Sequence, residues 1–192
     1  MKLLANKLNS GLFAAFALAS APAGATVVNF DSLRGSGPLP GVFRDVGWEQ
    51  GWYYLSSAIP PFNPRSKPTR IFSDAAEKSF TFLEGDQIFR GAWFAGYYYV
   101  SFKLYNDGVL VHTSPTLELF GTGPARFLST GYKGFVDKIT VVGIAGAYVM
   151  DDVTYFSEIP EPGVPGLMLA GMLAAGVLNV GLRTTERRAV RL

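Results

Sequence analysis

Val100-Ser-Phe-Lys-Leu-Tyr105, Asn106-Asp107-Gly108 and Val109-Leu-Val-His-Thr113 form the stretch that decides the fold. Asp-Gly supplies the positive-φ residues that a tight turn between two strands demands. In the first arm Val100, Phe102 and Leu104 alternate with Ser101 and Lys103, the period of a strand with one buried face. The pattern recurs outward from this hairpin. Segments 26–30, 48–55, 79–83, 97–105, 109–113, 116–120, 126–129, 136–142 and 147–156 are short and rich in aromatic and β-branched residues. Gly, Pro and Asp signals separate them. Between them only Asp74-Ala-Ala-Glu-Lys78 reads as one turn of helix. Pro60, Pro61, Pro64 and Pro68 make 57–70 a long, stiff loop. Nine short strands without helical periodicity predict an all-β chain, an antiparallel β-sandwich or jelly roll.

Composition narrows the chemistry. The 192 residues include no cysteine and one histidine. A disulfide scaffold, a thiolate metal site and a Cys nucleophile are therefore excluded. The chain is 48% hydrophobic and 14% aromatic, enough apolar area to offset ordering entropy. The net charge of +2 belongs to the ends, which hold six of the 17 basic and two of the 15 acidic residues. Residues 26–159 keep 11 basic and 13 acidic side chains, which argues against a nucleic-acid partner.

At the N-terminus Lys2 and Lys7 precede the apolar run 11–21 and then Pro22-Ala-Gly-Ala25. A basic region, an apolar core and a small-x-small site form a secretory signal peptide over 1–25. Cleavage is expected between Ala25 and Thr26, with the Sec translocon and signal peptidase as partners. The exported domain is then 26–158. At the other end, residues 164–182 carry no charge, long enough for one transmembrane helix. Arg183, Arg187, Arg188 and Arg191 follow, and the positive-inside rule keeps 183–192 cytoplasmic. The glycines at 166, 171, 176 and 181 step by five and do not line one helix face, so this is an anchor rather than a GxxxG dimer.

Directly before the span stand Pro160, Glu161 and Pro162. This tripeptide, an apolar span and an arginine cluster, in that order, resemble the PEP-CTERM sorting signal of Gram-negative bacteria over 159–192. The arginines here are interrupted by Thr184, Thr185 and Glu186. The resemblance implies cleavage by the membrane protease exosortase near the tripeptide, after residence in the inner membrane. It also implies a role beside exopolysaccharide or biofilm. Physically, two prolines hold the segment extended for a protease groove and Glu161 gives that groove a charge.

Phe30-Asp31, Asn106-Asp107-Gly108 and Met150-Asp-Asp-Val-Thr154 resemble the jelly-roll domains of exported sorting-signal proteins, which are similar to carbohydrate-binding modules. The resemblance covers about 72–156 and implies a structural calcium held by the penultimate aspartate. First and last strands of such a fold are often neighbours, so Asp31 is expected to meet Asp151 or Asp152. Their oxygens suit calcium; the alternative is turn-capping or edge carboxylates.

Trp52-Tyr-Tyr54, Trp93 and Tyr97-Tyr-Tyr99 place neighbouring rings on opposite faces, so some leave the core face. Trp52, Trp93 and Tyr98 are candidate platforms for sugar C–H faces; alternatively such rings cover the sheet's second face. No Gly-x-Ser-x-Gly elbow accompanies His112, which reads as a hydrogen-bonded surface or half-buried histidine. Glu49, Glu77, Glu84 and Glu118 show no pairing that marks a glycosidase. The expectation is a non-enzymatic envelope or matrix protein, with a carbohydrate-binding module on exopolysaccharide as the alternative and a secreted hydrolase last.

Overall fold

The computed structural model describes residues 24–157, an all-β, antiparallel, β-sandwich-like fold. Residues 1–23 of the signal segment 1–25, the tripeptide 160–162, the span 164–182 and the tail 183–192 lie outside the described residues. Thirteen strands run in chain order: β1 (Ala25–Val28), β2 (Ser36–Pro38), β3 (Val42–Phe43), β4 (Val46–Trp48), β5 (Trp52–Leu55), β6 (Arg70–Ser73), β7 (Glu77–Phe82), β8 (Gln87–Asn106), β9 (Val109–Thr113), β10 (Leu117–Phe120), β11 (Arg126–Ser129), β12 (Lys138–Gly143) and β13 (Tyr148–Ser157).

The 20-residue β8 organises the molecule. Its first half, up to Gly96, lies between β11 and β13; β13 in turn pairs β1 and β6, and β5 and β2 continue beyond β6. Its second half, from Tyr97, lies between β9 or β10 and β12, followed by β7, β4 and β3. One strand thus serves two hydrogen-bonded sheets. Aromatic rings from both meet between them. Phe89 and Phe94 of the first sheet reach Phe80 and Phe102 of the second at centroid distances of 5.0–5.7 Å.

The hairpin that opened the sequence reading is present. Val100, Phe102 and Leu104 are buried while Ser101 and Lys103 are half-buried, and β8 pairs β9 across Asp107-Gly108. Three expectations need correction. Segment 48–55 is not one strand: Gly51, at φ 101°, turns the chain so that Trp48 lies in one sheet and Trp52 in the other. Residues 74–78 are no helix; they bend into β7, with Asp74 and Lys78 paired at 3.1 Å. The strand expected to begin at residue 97 begins ten residues earlier, at Gln87.

The corner of β8 depends on Gly96 at φ 133°. A Cβ there would stand 2.3 Å from the Ala147 carbonyl oxygen. Gly96→Ala therefore combines a disfavoured backbone region with a clash against backbone that cannot rotate away. We expect a loss of about 2–3 kcal/mol, measured as a lowered urea midpoint with an unchanged slope.

Candidate functional site

The sequence singled out Asp31, Asp151 and Asp152, and the fold brings them to one place. β1 pairs β13 from Ala25↔Phe156 to Val28↔Val153, which carries Asp31 alongside the middle of β13. Consecutive residues of a regular strand face opposite ways. Here β13 advances three residues, from Asp151 to Thr154, while β8 advances two, from Trp93 to Gly91. The extra residue makes a β-bulge, with Asp152 in the left-handed region at φ 46°. Aspartate tolerates that conformation better than most residues. The bulge lets both carboxylates reach the same partner.

That partner is Ser66, in the proline-rich loop. Its backbone N–H donates to Asp151 Oδ2 at 2.9 Å. Its hydroxyl donates to Asp152 Oδ1 at 2.9 Å and lies 3.3 Å from Asp151 Oδ2. Asp152 N–H donates to Asp151 Oδ1 at 2.9 Å. Farther along the loop, Thr69 N–H donates to Asp31 Oδ1 at 3.2 Å and the Thr69 hydroxyl donates to Leu33 O at 2.8 Å. The three aspartates therefore clamp the 57–69 loop onto the outer face of the sheet.

The cluster is electrostatically loaded. Asp151 is 1% exposed. Burial first, then the Asp152 charge and more weakly that of Asp31, pushes its carboxyl up to about 7, against the opposing hydrogen bonds from Ser66 and Asp152. Burial also raises Asp152; the Ser66 hydroxyl and Arg65 oppose this, and Asp31 adds to it. Arg70 starts β6 one step from the Ile71↔Met150 pair and is 0% exposed. Its Nη1 donates to Leu55 O at 3.2 Å, while its Nε and Nη2 have no partner. Burial lowers the Arg70 pKa and the Asp151 charge raises it. Oxygen donors suit calcium, yet both Asp151 oxygens already accept hydrogen bonds. Among the described residues no three His, Cys, Asp or Glu side chains stand in a metal-holding group.

Sequence reading missed Ser66, Thr69 and Arg70. Polar residues framed by Pro64 and Pro68 were the available signal, since proline pre-sets the loop and leaves neighbouring N–H groups to find acceptors.

Of the three sugar-platform candidates, Trp52 is a correction. It is 1% exposed, packs edge-on against Trp48 at 5.8 Å and donates Nε1–H to Ser79 O at 2.9 Å. Its strand faces it inward, and no sugar reaches it. Trp93 is half-buried, capped by the Arg65 guanidinium 4.4 Å from its ring centre and flanked by Phe127 at 5.5 Å. Tyr98 is 60% exposed.

His112 is half-buried, with Nε2 2.9 Å from Thr130 O and its ring stacked on Tyr132 at 5.1 Å. Glu49 accepts from Ser79 N–H at 2.9 Å, and Glu77 pairs with Lys103 at 2.7 Å. A groove of about 430 Å³ lies between Val42, Leu83, Glu49 and Lys138, floored by Gly47 and Thr81. Comparison with protein-family models, with curated proteins and with solved structures finds no match to this chain.

Proposed function

We propose that this chain is an exported, non-catalytic protein of the cell envelope or extracellular matrix, sorted by exosortase through Pro160, Glu161 and Pro162. The observation that carries the reading is the β1–β13 pair, which sets Thr26 opposite Tyr155. The exported segment thus starts and finishes at one sheet edge. That arrangement suits a domain that emerges from a bilayer behind a cleaved signal segment and ends in a span through the same bilayer. The Sec translocon, signal peptidase and inner membrane are then processing partners, and the β-sandwich-like fold is, in finer terms, a jelly roll. The structural engagement of His112, Glu49 and Glu77 supports a non-enzymatic role. Calcium at Asp31, Asp151 and Asp152 belongs to the same reading, supported by the one loop, through Ser66 and Thr69, that all three carboxylates bind.

The test is Glu161→Ala. The variant should be exported, lose its signal segment before Thr26, and stay in the inner membrane at the uncut mass. Wild type should be shorter and leave that membrane. Equal mass and location for both, read by mass spectrometry of fractionated cells, would mean that residues 160–192 are an ordinary anchor.

A further inference from the structure

The β8 corner turns a buried register position out to solvent. Along the strand Ala92, Phe94, Val100, Phe102 and Leu104 are each 0% exposed, and Tyr98 shares their even register. It pairs with the core residue Leu119. Nevertheless, Tyr98 stands at φ 66° and is 60% exposed. A tyrosine in the left-handed region is strained, and such strain concentrates at functional sites. The result is three consecutive exposed tyrosines, 97 to 99, with Phe120, 72% exposed, opposite Tyr97.

Tyr97 and Phe120 are held in place, and Tyr98 lies beside Tyr97 at 6.4 Å between ring centres. Tyr97 lies on Gly121 so closely that a Cβ there would stand 2.2 Å from its ring. Phe62 meets Tyr97 edge-on at 5.8 Å. The Arg126 guanidinium stands 5.6 Å from the Phe120 ring centre, with Nη1 donating to Glu118 O at 2.6 Å. Its remaining N–H groups form a fork suited to a carboxylate.

We propose that Tyr97, Tyr98, Tyr99 and Phe120, with Arg126, form a binding platform for an acidic polysaccharide. Flat rings receive the C–H faces of pyranose units, tyrosine hydroxyls meet sugar hydroxyls, and Arg126 takes a uronate carboxylate. While the span anchors the chain, position selects this occupant over a lipid surface. Gly96, beside the cluster, pairs with Tyr148, whereas Gln87 pairs with Ser157 next to the chain ends. Nine residue steps put the cluster about 30 Å from that edge. The orientation rests on the sorting reading, in which the two ends of the domain face the membrane until exosortase cuts; up to that step the platform faces away from it.

The experiment uses the full chain in detergent micelles, with alginate, dextran and phosphatidylglycerol vesicles as probes. Alginate should slow the protein in affinity electrophoresis more than dextran does. Tyr98→Gly keeps the left-handed backbone without strain, so it should melt no lower than wild type and bind alginate about tenfold more weakly. Phe120→Ser should do the same. Arg126→Gln should reduce alginate binding to the dextran level. Alginate binding that the three variants leave unchanged would overturn the proposal, as would no binding to either polymer. Loss of vesicle binding alone in these variants would also overturn it, identifying a membrane contact. If Glu161→Ala fails to alter processing while alginate binding holds, only the sorting reading falls.

Discussion

Raising the pH from about 4 to about 7 should lower the stability of the folded protein by about 3 kcal/mol, roughly 10 °C in melting temperature. The cause is Asp151, whose carboxyl is raised from 3.8 to about 7 by burial and by Asp152, with a smaller push from Asp31. A group with a raised folded pKa holds its proton more tightly when folded. Its contribution is complete below the unfolded value of 3.8 and disappears as pH climbs through about 7. Asp152, also raised, adds to the same slope. Asp151→Asn removes the titration and should flatten the profile. Calcium supplies a second arm. It requires an ionised Asp151, so it should raise the melting temperature at pH 8 and leave it unchanged at pH 5. At a hundredfold excess over Kd the gain is about 2.7 kcal/mol. An unchanged melting temperature with millimolar calcium at pH 8 would leave the aspartates as a loop clamp alone. A profile flat in wild type would remove the account of Asp151.

Trp52→Ala should cost about 3–5 kcal/mol, the range for emptying a large aromatic site in a core. Trp52 packs on Trp48, and its Nε1–H donates to Ser79 O, so one side chain joins β5 of the first sheet to β7 of the second. Trp52→Phe keeps most of the ring contact and loses that hydrogen bond, while Ser79 O still accepts from Glu49 N–H at 3.2 Å; about 1 kcal/mol is expected, the net worth of one hydrogen bond. Urea unfolding measures both. Neither variant should change alginate binding of the folded protein, which separates this buried ring from the exposed Tyr98.

Alternation made the strands legible where one face is buried. Val100, Phe102 and Leu104 announced their half of β8 because Ser101 and Lys103 mark its other side. The half from Gln87 to Gly96 carries Ala92, Trp93, Phe94 and Ala95 in a row, because Trp93 is covered by the loop as well as bordered by the core. With both faces covered, alternation fades and period-2 reading fails. The meeting of Asp31 with β13 was legible from fold closure. Which aspartate would arrive was not, because the bulge at Asp152 is a backbone event that sends two adjacent side chains the same way. The Tyr98 reversal is of the same kind: regular alternation assigns it to the core, and one positive φ overrules that.

The β1–β13 ladder, with Ala25 across from Phe156, fixes how the protein responds to force. Tension applied between its two chain ends acts along the hydrogen bonds at one end of the ladder and opens them in succession, as a zipper opens. Tension between the chain ends and the far corner runs lengthwise along β8 and β13 instead. It must then shear their shared hydrogen bonds, from Gly96 to Gln87, together rather than singly. The same domain is therefore soft when tugged by its own termini and stiff when tethered at its base and pulled from its tip.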